Sequence, residues 1–267
     1  MSARYVFRLL VPTVVVLLIG AAAYAQATQT GAKPFEPTVG QAGKDVVWVP
    51  TPQATVNRML DMAKVTPQDF LMDLGSGDGR TVITAAKRGA RAQGVEYNPD
   101  MVELSKRNAA KEGVSDKATF VKADLFETDF SKAQVVTMFL LPTINLRLRP
   151  KILEMKPGTR IVSNTFTMDD WEADETSTIT DDCTSWCTAL LWIVPAKVEG
   201  TWQTPQGALT LTQKFQMVSG TLGSTPITGG RLRGDELTFT AGGTKYAGRV
   251  NGNTIAGDGG KWTATKK

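Results

Sequence analysis

The stretch MDLGSGDGR, residues 72–80, holds the densest chemistry in this chain of 267 residues. The apolar run Phe70–Leu74 predicts a short strand that carries Asp73 to its C-terminal end. Gly75, Gly77 and Gly79 follow at alternate positions, with Ser76 between the first two. Glycine tolerates positive φ and lets the backbone approach a ligand closely, so the pattern predicts a loop that cradles a nucleotide cofactor. A dinucleotide fingerprint needs G-x-G-x-x-G, its third glycine serving close helix–strand contact. Arg80 stands where that glycine belongs, which disfavours NAD and FAD. A phosphate loop ending in Gly-Lys-Ser/Thr is absent. Two further acids fall at the ends of the next predicted strands: Glu96 closes one in GVEYNP and Asp124 follows another in VKADLF. The chain has no histidine, which excludes a His base, a His metal ligand and a Ser-His-Asp triad. Its two cysteines, Cys183 and Cys187, are too few for a zinc site. A disulfide across a tight turn is the expectation, and no metal is.

The elements that must position these residues alternate in type. Thr51-Pro52 predicts a helix start, with Thr as the N-cap, followed by Val56, Met59, Leu60 and Ala63 at helical spacing. A helix over Arg80–Arg88 buries Val82, Ile83 and Ala86. Strands follow at Ala92–Glu96, Thr119–Ala123 and Val135–Leu140. Asn98-Pro99 opens a helix to about Glu112. A further helix around Thr143–Met155, interrupted near Pro150, leads to a strand in PGTRIVSN. The alternation predicts an α/β fold, a mainly parallel sheet with helices on both faces. From about Val198 the pattern changes to short alternating runs with Gly, Asn and Asp turns, which predicts a small all-β barrel or sandwich. Trp202, Phe215 and Phe239 read as its core.

Residues 1–25 read as a signal peptide: Arg4 and Arg8, then a run of fifteen residues from Leu9 to Ala23, then the cleavage pattern Ala23-Tyr24-Ala25. An uncleaved N-terminal membrane anchor is the alternative, though the run is short for a span. Both readings place the remainder outside the cytoplasm, periplasmic or secreted. Residues 26–44 read as a flexible lead-in, residues 45–196 as the α/β domain and residues 197–267 as the β domain. The formal charge is +4, and removal of Arg4 and Arg8 leaves 4 − 2 = +2. That weak charge, with no basic stripe interleaved with aromatics, gives no sign of a nucleic-acid partner.

Asp73-x-Gly75-x-Gly77-x-Gly79 resembles motif I of the class I S-adenosylmethionine-dependent methyltransferases, which have a Rossmann-like fold. The resemblance implies that the glycines admit the methionine part of S-adenosylmethionine and that Asp73 meets its ammonium. It implies that Glu96 accepts from the ribose hydroxyls, that Tyr97 packs on the adenine, and that Asp124 and the Leu125 backbone serve the adenine edge. The fourth strand ends in MFLLP rather than the N-P-P-Y of base-amino methyltransferases, which argues against adenine or cytosine as substrate. The segments VWVPTPQATVNRMLDMAKV and MDLGSGDGRTVITAAKRGARAQGVEYNPDMVELSKRNA, with ADLFE, are similar to one family in particular. It contains the mitochondrial lysine methyltransferases that act on the ATP synthase c-subunit and the adenine nucleotide translocase. The resemblance covers about Val46–Val194 and implies a protein-lysine N-methyltransferase, with envelope or membrane association as a further expectation. The alternatives are a methyltransferase for a small molecule or lipid, and an exported binding protein that keeps the scaffold without catalysis. Acceptor groups belong beyond the C-terminal strand ends. Asp169 or Asp170 in NTFTMDDW would receive a substrate ammonium there, with Phe166 and Trp171 as aromatic walls. Arg147, Arg149, Lys151, Lys156 and Arg160 form a basic cluster that reads as a solvated helix face or as a contact for an acidic partner or lipid headgroups.

Overall fold

The structure is a computed structural model that describes residues 33–267. The signal-peptide reading of residues 1–25 lies outside the described residues. The first block runs α1 (Gln53–Met62), β1 (Phe70–Leu74), α2 (Arg80–Lys87), β2 (Arg91–Glu96), α3 (Pro99–Lys111), β3 (Ala118–Lys122), β4 (Val135–Met138), α4 (Pro142–Leu153), β5 (Arg160–Asn164), β6 (Glu175–Thr178) and β7 (Thr188–Ile193). Its seven strands form one sheet in the order β3-β2-β1-β4-β5-β7-β6. β1 to β5 are parallel, whereas β7 runs antiparallel to both β5 and β6.

Side chains alternate across the sheet because the strand repeat is two. Leu71, Val135, Val162 and Leu191 face α1, α2 and α3, and Val56, Leu60, Val82 and Val102 cover them. Met72, Leu74, Val136, Met138 and Ile161 face the other way, toward Leu148 and Ile152 of α4. Local chemistry sets the helix starts. Asn98 accepts the Asp100 N–H at 2.9 Å and Pro99 fills the first turn of α3. Thr51 is not the N-cap of α1: Pro52 holds that position with no side-chain cap bond, and the Thr51 carbonyl instead accepts from Arg80 Nη1 at 2.8 Å. α4 begins at Pro142 and continues through Pro150 without a restart.

The second block is a closed barrel: β8 (Gly200–Thr204), β9 (Gly207–Lys214), β10 (Met217–Leu222), β11 (Thr225–Arg233), β12 (Glu236–Ala241), β13 (Thr244–Asn251), β14 (Thr254–Gly257) and β15 (Thr263–Lys266). Closure leaves no unpaired edge. Trp202, Leu209, Leu232, Leu237, Phe239 and Trp262 form its core. Phe215 does not. It sits at the β9–β10 turn with φ +53° and stacks on Trp171 of the first block, centroids 5.6 Å apart. Gln216 Nε2 donates to the Glu172 carbonyl at 2.8 Å. The buried Asp174 carboxylate accepts from Arg231 Nη2 at 2.7 Å and from the Ile193 N–H at 2.8 Å. One helix, α4, leaves part of its sheet face uncovered, and residues 168–174 with Phe215 complete the cover.

The basic cluster is largely spent on internal ties. Arg160 pairs with the buried Asp69, Arg149 pairs with Asp170, Arg147 lies 3.5 Å over the Phe126 ring, and Lys151 donates to the Thr128 carbonyl.

Replacing Phe215 with Ala removes the aromatic contact between the barrel and the sheet. Denaturant titration should show a loss of about 2–3 kcal/mol, below the range for a fully buried Phe because this ring is only partly covered.

Candidate functional site

Backbone turns at the end of β1 build the pocket. The N–H groups of Gly75 and Ser76 both donate to the Val95 carbonyl, at 2.9 and 3.0 Å, folding the loop back onto β2. The Gly77 N–H donates to Glu96 Oε2 at 3.0 Å, and the Asn98 N–H to Glu96 Oε1 at 2.9 Å. Ser105 Oγ donates to the Gly77 carbonyl at 2.8 Å. Gly75 and Gly77 carry φ of +77° and +53°. A Cβ on Gly77 would sit 2.6 Å from Trp48 Nε1. Nothing in the sequence pattern singles out Gly94, yet a Cβ there would lie 2.4 Å from Ser76 Oγ, so only glycine lets the loop rest on β2.

The structure brings Asp73, Gly75, Ser76, Gly77, Glu96, Tyr97, Asp124 and Leu125 to one pocket beyond the C-terminal ends of β1, β2 and β4. Gly79, expected among the cofactor contacts, does not line it. With φ +83°, it approaches Phe120 and Ser105 so closely that a Cβ would lie 2.7 and 2.9 Å from them. Its role is close element packing. Residues 41–51 also line the pocket, so the end of the expected flexible lead-in is folded. The Gly40 N–H donates to the Trp48 carbonyl and the Trp48 N–H to the Gln41 carbonyl, both at 2.9 Å. From this strap Lys44 reaches Asp124 Oδ2 at 2.5 Å and lies 5.0 Å from the Tyr97 ring centroid. The Lys44 ammonium, with the Phe126 N–H, holds the Asp124 carboxyl below its usual range. An adenine amino group at Asp124 would therefore share that carboxylate with Lys44. Asp78 and Arg80 are further residues that sequence reasoning does not assign. They form a forked pair, Nε–Oδ1 3.0 Å and Nη2–Oδ2 2.6 Å, that ties the loop to Thr51.

Asp169 and Asp170 are not brought to the pocket. Asp170 is held by Arg149 Nη1 at 2.7 Å and by Lys214 at 3.3 Å. Asp169 is exposed in a turn, at φ +56°. Trp171 is fully buried between Trp192 and Phe215 and is core, not a wall. Phe166 does lie near the site, stacked on the pocket residue Phe139 at 5.7 Å.

The residues present fit S-adenosylmethionine. Ser76 Oγ is buried with no hydrogen-bond partner among the described residues. Asp73 is buried, and Thr137 Oγ1 donates to its Oδ1 at 2.7 Å. Burial pushes the Asp73 carboxyl up to about 7 against the opposing Thr137 bond, and the charges of Asp78 and Glu96 push the same way as burial. A buried acid beside two others suits a ligand that brings positive charge.

The folded-state value of Asp73 lies above the ordinary 3.8, so this group's contribution to stability is complete below about pH 4 and is lost as pH rises through about 7. Binding of a cationic ligand at Asp73 runs the opposite way, because the carboxyl must lose its proton. Calorimetric titration of S-adenosylmethionine should show affinity rising with pH, with a limiting slope of about tenfold per unit below pH 7. Asp73→Asn should flatten that profile and weaken binding at pH 8 by about tenfold or more. Gly77→Ala should weaken binding at every pH, since its Cβ displaces Trp48.

Known proteins match this arrangement. Residues 73–175 match the family model described as the ANTKMT methyltransferase domain. A Saccharolobus islandicus protein named protein-lysine N-methyltransferase is 47% identical over 139 residues, covering 51% of this chain and 86% of that protein. The human lysine N-methyltransferase named for the ATP synthase c-subunit is 36% identical over 131 residues, 48% of this chain, and the chain spans 56% of its length. A Salinibacter ruber structure described as an RNA methyltransferase in complex with S-adenosyl-L-homocysteine is 45% identical with a TM-score of 0.53, covering 56% of this chain and 96% of that one. These matches add to a buried acid, a glycine cradle and an orphaned serine at the strand ends, and the chain belongs to the ANTKMT methyltransferase family of S-adenosylmethionine-dependent enzymes.

Proposed function

We propose that the chain is an exported protein-lysine N-methyltransferase. The observation that carries this reading is the character of the segment between β5 and β7. Residues 165–187 hold seven acids, Asp169, Asp170, Glu172, Asp174, Glu175, Asp181 and Asp182, and neither Lys nor Arg. Asp170, Asp174 and Glu175 are offset by Arg149, Arg231 and Arg233, whereas Asp169, Glu172, Asp181 and Asp182 are exposed and in no ion pair among the described residues. This surplus negative charge after β5 would attract a lysine-bearing protein and repel a phosphate backbone. The names of the archaeal and human relatives agree with it. The structural relative described as an RNA methyltransferase supports RNA as the second reading.

When bound, S-adenosylmethionine supplies an electrophilic methyl carbon. A lysine acceptor would have to arrive there as the neutral amine, its ammonium proton passed to solvent beforehand. The chain's own residues align and shield. Asp73 holds positive charge at the end of β1. Glu96 fixes the glycine loop through Gly77 and Asn98. Leu140 and Phe139 wall the pocket where β4 ends. Displacement of this kind gains most from orientation, which suits a site without histidine.

The test is transfer of tritiated methyl groups to envelope protein, lipid extract and RNA offered in parallel, followed by acid hydrolysis. Label should appear in protein as Nε-methyl-lysine. Label in lipid or RNA would replace the lysine reading, and cofactor binding without transfer to any fraction would leave a binding protein. Glu96→Ala should weaken cofactor binding by about tenfold or more through collapse of the loop geometry.

A further inference from the structure

The pocket wall continues into a cluster of three rings. Phe139, directly after β4, lines the pocket. Phe166, just after β5, stacks on it, with centroids 5.7 Å apart and planes 19° from parallel. Trp186 meets both, at 5.4 Å from Phe139 and 5.5 Å from Phe166. Trp186 is the most exposed of the six tryptophans, at 38%. An indole partly open to water beside a cofactor pocket has one side covered by partner rings and area left for a ligand.

Trp186 is held where it is at some cost. It lies in the loop closed by the Cys183–Cys187 disulfide. The fully buried Thr55 of α1 donates its hydroxyl to the Trp186 carbonyl at 3.0 Å. Trp186, Asp182 and Thr165 all adopt positive φ, of +59°, +56° and +61°. Non-glycine residues in this region cost energy and persist where the surroundings over-determine them, commonly at functional sites. Asp181 and Asp182 lie just before Cys183, exposed, and neither enters an ion pair among the described residues.

We propose that Trp186, braced by Phe139 and Phe166 and pinned by the Cys183–Cys187 bridge, forms the wall that receives the aliphatic stem and amine of the acceptor lysine. This assignment rests on the lysine reading above. Aromatic faces attract a cationic amine and also cover the apolar stem once the nitrogen is neutral. The disulfide makes acceptor binding depend on an oxidising compartment, while the cofactor pocket, on other strands, does not depend on it.

The experiment measures methyl transfer to the envelope-protein fraction and S-adenosylhomocysteine affinity on the same preparations. Trp186→Ala should raise the apparent KM for the acceptor by about tenfold, leaving cofactor affinity within about twofold. Trp186→Tyr should recover most of the loss. Reduction with dithiothreitol, or Cys183→Ser with Cys187→Ser, should move the acceptor KM in the same direction. With S-adenosylhomocysteine bound, the acceptor should change indole emission in the wild type but not in Trp186→Phe. An acceptor KM for Trp186→Ala within about twofold of wild type, at intact cofactor affinity, would overturn the assignment. If Trp186→Ala loses cofactor affinity through misfolding, Trp186→Tyr and the reduced wild type decide by the same comparison. Wild-type label found in lipid or RNA rather than lysine would overturn the lysine reading, and this assignment with it. An active lysine methyltransferase indifferent to Trp186 would overturn this assignment alone.

Discussion

Asp73 leaves water at the point where β1 ends, and the cofactor half of the molecule is arranged around that fact. The residue is 6% exposed and receives a hydroxyl bond from Thr137. A carboxylate removed from water without a full set of partners resists ionisation, which is why its proton is held up to about pH 7. Asparagine would fit the same space with less penalty. A carboxylate kept under such tension is stabilised by whatever positive charge arrives next to it. The glycine loop and the unpartnered Ser76 hydroxyl surround that position, so compensation and recognition coincide.

The acceptor half obeys a different constraint. The sheet has one covering helix, α4, on its second face, and that helix cannot cover β5 and β7 alone. The chain solves this with a loop and a borrowed ring. Trp171 buries itself under Phe215 from the barrel, and Asp174 joins the Ile193 backbone to Arg231. The strained turn at Phe215 is sustained by that stacking. The barrel therefore braces the segment that separates β5 from β7. Its own interior is filled by Trp202, Phe239 and Trp262.

Legibility in the sequence follows the range of the interactions. The five parallel strands and α2 and α3 are readable because burial patterns, Asn98-Pro99 and the glycines act within a few residues. Asp73, Glu96 and Asp124 are readable because strand ends fix where their side chains emerge. Gly79 misleads because spacing cannot tell a glycine facing a ligand from one facing Phe120. Asp170 misleads because its partners, Arg149 and Lys214, are distant in sequence. β6 is hidden because the acid-rich segment around it has no alternating apolar pattern and β6 itself is exposed along most of its length. β7 is a buried apolar run, but it returns antiparallel with no helix before it and so falls outside the strand–helix alternation. The strap at residues 41–51 is hidden for a similar reason: Gly, Lys and Asp mark a loop, and nothing local says that it folds over a pocket.

These two halves differ in what holds them. The cofactor loop depends on backbone geometry, and its contacts lie between residue 73 and the end of β4, Thr137 to Leu140, with the strap over them. The acceptor wall depends on side chains gathered from three places, Phe139, Phe166 and Trp186, and on a covalent bridge. A parallel sheet with glycine-rich turns can change its acceptor by altering the segment after β5 while leaving β1 to β3 untouched. The acidic residues, the aromatic cluster and the disulfide all fall in or beside that segment. A site divided in this way lets the same methyl-donor chemistry be kept while the partner that receives the methyl group is chosen by the charge, shape and redox state of one loop.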